Sequence, residues 1–82
     1  MALLYPLTTE KAIGMIEKEN KVTFIVDKKA TKKEIVDEFE KNYNVKVESV
    51  HTLVTPKGKR KAFIRLQKGY SADEIATKLK MV

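Results

Sequence analysis

Six cations stand between Glu48 and Asp73 with no carboxylate among them: Lys57, Lys59, Arg60, Lys61, Arg65 and Lys68. Four of them belong to one short run, Pro56-Lys57-Gly58-Lys59-Arg60-Lys61. Lysine and arginine crowded on a protruding turn neutralise phosphates and release counterions. Elsewhere eleven of the seventeen basic side chains are matched by all eleven carboxylates, so the net charge of +6 lies in this one segment. A field this one-sided attracts a polyanion. A solvated face that only aids solubility is the other reading, and the localisation of the charge favours nucleic acid.

A second basic cluster is Lys28-Lys29 with Lys32-Lys33, at the start of an expected helix. It reads equally as a phosphate-favouring helix N-terminus or as an ordinary exposed helix start. Tyr70, beside Lys68 and Gly69, either stacks on a base or covers the edge of a core.

The residues that catalysis needs are not arranged for it. His51 is the sole histidine and there is no cysteine, which excludes a conventional zinc site, a disulfide framework and a thiolate nucleophile. Paired carboxylates such as Asp37-Glu38 and Asp73-Glu74 fall on helix faces and first turns, where solvation and capping account for them. The three glycines make no phosphate-cradling loop. The expectation is no enzyme, no cofactor, no metal and no small-molecule substrate.

The elements that must carry these side chains alternate at short intervals. Thr8-Thr9-Glu10 caps a first helix, whose stripe is Ala12, Ile13 and Ile16 and which ends at Lys18-Glu19-Asn20. Residues 21–27 read as a strand with Val22, Phe24 and Val26 on one face. Thr31-Lys32-Lys33-Glu34 is a capping box, followed by a helix burying Ile35, Val36, Phe39 and Tyr43. Residues 45–54 form a second strand whose apolar phase shifts, which predicts a bulge near Ser49 or Val50. About seven residues then join it to a third strand, 62–66, with Ala62, Ile64 and Leu66 inward. Ser71-Ala72-Asp73-Glu74 predicts a second capping box, opening a last helix with Ile75, Ala76 and Leu79 inward. Residues 3–5 fit a short edge strand.

This order predicts an α+β fold: an antiparallel three- to four-stranded sheet packed with helices, of ferredoxin-like or RRM-like topology. The chain's 82 residues suffice for one domain, 1–82. A domain of that size buries only about 60–65% of its unfolded surface, so a large partner can add much to its stability. The N-terminal run Met1-Ala2-Leu3-Leu4-Tyr5-Pro6 lacks the basic leader of a signal peptide, and no apolar stretch approaches a membrane span.

Five blocks, in order along nearly the whole chain, resemble the family of large-subunit ribosomal protein twenty-three. They are Pro6-Leu7-Thr8-Thr9-Glu10-Lys11, Phe24-Ile25-Val26-Asp27, Ala30-Thr31-Lys32-Lys33-Glu34-Ile35, Val45-Lys46-Val47-Glu48-Ser49-Val50-His51-Thr52 and Lys61-Ala62-Phe63-Ile64-Arg65-Leu66. One departure is His51, where the family usually has asparagine. The short hairpin looks like the archaeal or eukaryotic form, since bacterial members carry a long loop there. The resemblance implies binding to large-subunit rRNA at the polypeptide exit tunnel, beside ribosomal protein twenty-nine, in the cytoplasm. With the charge pattern, it points to Lys11, Lys32, Lys33, Thr52, Lys57, Lys59, Arg60, Lys61 and Arg65 as the rRNA-binding set. It also implies docking of nascent-chain factors such as the signal recognition particle, with Glu10 at the position that serves docking in the bacterial branch. A free-standing RRM-like binder of single-stranded RNA is the alternative. Its aromatic signature is weak here, and no strand is expected after the last helix.

Overall fold

The computed structural model describes residues 2–79. The elements are β1 (Leu3–Pro6), α1 (Glu10–Glu19), β2 (Lys21–Val26), α2 (Lys32–Tyr43), β3 (Val47–Val54), β4 (Arg60–Leu66) and α3 (Ala72–Lys78). One four-stranded sheet has the order β1-β2-β4-β3, with every neighbouring pair antiparallel. The fold is therefore α+β, with the strand order of a ferredoxin-like sheet. The edge that such a chain fills with a strand after its last helix is filled here by β1. The short edge strand read at residues 3–5 is thus the fourth strand, hydrogen-bonded to β2.

Alternation along the strands sorts side chains onto two faces. Across β2, β4 and β3 the registers Val22–Ile64–Val50 and Phe24–Ala62–Thr52 lie on the face covered by helices. Against them pack Ile35 and Phe39 of α2 and Ala72, Ile75 and Ala76 of α3, all buried. Phe24, Phe39 and Tyr43 form an aromatic cluster, with the Phe24 and Phe39 rings edge to face at 5.8 Å and Tyr43 4.8 Å from Phe39. Such geometry adds about 0.5–1.5 kcal/mol per pair beyond area burial.

Local signals start and stop the helices. The Thr9 hydroxyl accepts from the Ala12 amide at 3.2 Å. The box at Thr31 and Glu34 is complete in both directions, at 3.1 Å each. Asn20 and Asn44 end α1 and α2 in the left-handed conformation, at φ 55° and 53°. Asparagine tolerates this region better than other side-chain-bearing residues.

Three expectations need correction, the first being the start of the third strand, which is Arg60 and not residue 62. The capping box at Ser71 does not form, because the Ser71 side chain makes no capping hydrogen bond. Its role passes to Asn20, whose side-chain oxygen accepts from the Ala72 amide at 2.7 Å. The second strand begins at Val47, not Val45, since the Val47 amide is held by the Glu40 carboxylate at 2.8 Å. The bulge falls between Val47 and Ser49, at the near edge of the expected position.

Candidate nucleic-acid interface

The β3–β4 hairpin decides where the cations stand. Only residues 55–59 lie between the strands, because Arg60 and Lys61 already pair with Val54 and Leu53. The turn is closed by the Thr55 amide on the Lys59 carbonyl at 2.7 Å and by the Gly58 amide on the Thr55 carbonyl at 2.9 Å. Gly58 sits at φ 82°, which a side chain would strain.

Strand alternation then separates two neighbours of the basic run. Arg60 lies on the helix side of the sheet, half-buried. Its guanidinium donates to the Ala30 carbonyl, with longer contacts of 3.4 Å to the Asp27 and Lys28 carbonyls. It also reaches the half-buried Thr52 hydroxyl at 3.4 Å. Arg60 and Thr52 thus tie the hairpin to the turn before α2. Lys61 lies on the opposite face, in register with Ile25 and Leu53.

That opposite face is the open side of the sheet. β4 presents Lys61, Phe63 and Arg65 there, and β3 adds Ser49, His51 and Leu53. His51 is directly opposite Phe63, with ring centroids 6.4 Å apart and planes 28° from parallel. α1 covers the Thr23 flank, where Ala12, Met15 and Lys11 line a groove with Lys61 and Phe63. The His51 half stays exposed. At the tip Lys57 and Lys59 are exposed. The Lys59 ammonium donates to the Tyr5 hydroxyl at 3.0 Å and stands 5.7 Å from the centre of that ring. Arg65 makes an exposed ion pair with Glu48 at 3.5 Å, a contact worth about 1 kcal/mol or less.

The remaining predicted residues are dispersed. Lys11 and Glu10 are exposed in the first turn of α1. Lys32 and Lys33 are exposed in the first turn of α2, which packs on the other face from Lys61 and Arg65. The turn before α2 still reaches the tip, because the Lys28 ammonium lies 3.5 Å from where a Cβ on Gly58 would stand. The pairing of His51 with Phe63 is a non-local contact that neither residue's own sequence neighbourhood signals. The hairpin register would have revealed it, had the loop length been known. Tyr70 is 37% exposed and precedes α3.

Among the described residues no group of three or more metal-ligating side chains gathers, and no helix is long and apolar enough to cross a membrane. Fold and surface together define a small ferredoxin-like α+β domain with a cationic hairpin tip and with Lys61 and Arg65 on its open face. The family model described as Ribosomal protein L23 matches residues 1–78. The chain is 53% identical over 73 residues to the large ribosomal subunit protein uL23 of Pyrobaculum aerophilum, covering 89% of this chain and 90% of that protein. The chain belongs to the Ribosomal protein L23 family.

Proposed function

We propose that this chain is a structural constituent of the large ribosomal subunit that grips its rRNA through the open sheet face and hairpin tip. On this reading Lys57, Lys59, Lys61 and Arg65 hold phosphates, and Lys11, Lys32 and Lys33 make outlying contacts. The observation that carries it is the acid-free run of cations that the hairpin sets out, Lys57 and Lys59 on the turn and Lys61 and Arg65 on one face of the sheet. The family, and the name of its Pyrobaculum relative, supply the ribosomal setting. The place is the rim of the polypeptide exit tunnel, beside ribosomal protein twenty-nine, in the cytoplasm. Exposed Glu10 offers a carboxylate for docking the signal recognition particle. Arg60 and Thr52 serve the fold that presents this surface.

Cosedimentation of the tagged chain with ribosomal subunits tests the reading, and absence from the large subunit overturns it. Replacing Lys57, Lys59 and Lys61 together by Gln weakens binding to a large-subunit rRNA fragment. It also flattens the log K against log salt slope by about 2 to 3, if each lysine neutralises one phosphate. Glu10→Ala leaves rRNA affinity intact and weakens docking of the signal recognition particle. Equal docking by mutant and wild type rules that role out.

A further inference from the structure

We infer that the His51–Phe63 pair is a stacking platform for an unpaired RNA base, resting on the rRNA-binding reading above and specifying which form of RNA the open face takes. Phosphate contacts alone position a protein without distinguishing paired from unpaired RNA. Aromatic faces make that distinction, because a base inside a duplex has no free face to offer.

Three observations converge on this spot. The two rings are cross-strand partners, held by the β3–β4 ladder with centroids 6.4 Å apart and planes 28° from parallel. The hairpin, not a mobile loop, therefore fixes their orientation. His51 is exposed and Phe63 half-buried, so the outer ring is free to extend the stack. Next along β4 on the same face stand Lys61 and Arg65, one on each side of Phe63. A nucleotide whose base rests on His51 has a cation within reach in either strand direction. Arg65 can exchange its exposed partner Glu48 for a phosphate at little cost. The excess of positive charge selects a polyanion over an apolar protein surface for this face.

The arrangement also gives His51 a role that its sequence position does not suggest. A lone histidine in a strand is an unremarkable surface side chain. Opposite Phe63, it adds a second ring to the surface that β3 and β4 present. The rest of that face around it is Ser49, Leu53 and the two cations.

The test compares a short single-stranded oligoribonucleotide carrying one 2-aminopurine with an RNA duplex of equal charge, both titrated with the intact chain. Wild type is expected to quench the 2-aminopurine on binding the single strand. His51→Ala and the volume-conserving Phe63→Leu are each expected to weaken single-strand binding roughly five- to tenfold, with the quench reduced and duplex affinity unchanged. Circular dichroism melts of both variants keep a folding defect distinguishable from a lost contact. Because His51 is exposed, His51→Ala remains decisive if Phe63→Leu fails to fold. Wild-type affinity and quench in His51→Ala overturn the platform while leaving the rRNA reading standing. Equal losses for duplex and single strand also overturn it, since they assign His51 a general rather than a stacking role. His51→Ala that binds both RNAs normally yet is lost from assembled subunits assigns the face to a protein and overturns it. Failure of the wild-type chain to bind either oligomer or a large-subunit rRNA fragment brings down the underlying reading itself.

Discussion

The side-chain oxygen of Asn20 accepts a hydrogen bond from the Ala72 amide at 2.7 Å, so the residue that terminates α1 also caps α3. The same side chain donates to the Tyr70 carbonyl at 3.0 Å, and the Asn20 carbonyl accepts from the Leu66 amide at 3.1 Å. One left-handed asparagine thus joins the ends of α1 and β4 to the start of α3. Asn20→Gly keeps the backbone conformation but removes the cap, and is expected to cost about 1–2 kcal/mol. Asn20→Ala loses the cap and adds roughly 1 kcal/mol of left-handed strain. Asn20→Asp retains the acceptor but sets a carboxylate oxygen against the Tyr70 carbonyl in place of the donated bond, and is expected to fall between wild type and Asn20→Ala. Urea midpoints of the three variants check this order, and an Asn20→Gly equal to wild type would falsify the capping role.

Arg60 and Lys61 are neighbours in sequence on opposite faces of the sheet. Arg60→Ala removes donors from the Ala30 carbonyl and the turn before α2, and should destabilise the fold by about 1–3 kcal/mol. Lys61→Ala should stay within about 0.5 kcal/mol of wild type in stability. Its loss should appear instead in RNA affinity. Denaturation and RNA titration on the same two variants separate the roles; a stable Arg60→Ala contradicts the assignment.

The Thr23 hydroxyl is buried, with the residue 2% exposed, and finds no hydrogen-bond partner among the described residues. Burying an unpartnered hydroxyl is unfavourable. Thr23→Val fills the same shape without the polar atom and is expected to stabilise the free chain by about 1 kcal/mol. A lower thermal midpoint for Thr23→Val means that the hydroxyl has a partner in solution.

Burial first, and the nearby Glu38 carboxylate second, push the Tyr43 phenol above its ordinary value. The folded state therefore resists deprotonation more than the unfolded chain does. The stability tied to the neutral phenol is fully present below about pH 10 and is lost as pH rises through the raised folded value. Tyr43→Phe, which cannot ionise, should lose less stability than wild type between neutral and strongly alkaline pH. Parallel curves for the two proteins rule this out.

Much of the fold was legible because its signals are local. Thr9, Asn20, Thr31 and Asn44 mark helix ends by their own hydrogen-bonding and backbone preferences. The alternation Ala62, Ile64, Leu66 marks a buried strand face. Ser71 misled because its motif has the right letters, while a competitor 51 residues away, Asn20, supplies the acceptor. The edge position of β1 was readable as a strand, but its partner was not, since pairing with β2 is a non-local choice.

The candidate site divides in the same way. The sequence alone determined that the chain carries its excess charge in one segment and that this segment includes a tight turn. Those properties depend on composition and order only. Tertiary structure decided which cations reach the surface together. A hairpin loop of five residues, not seven, puts Arg60 inside the strand and, by alternation, turns it towards Ala30 while Lys61 faces out. The same register lays His51 against Phe63. A shift of one residue would have reversed both faces, because side chains in a strand alternate with a period of two.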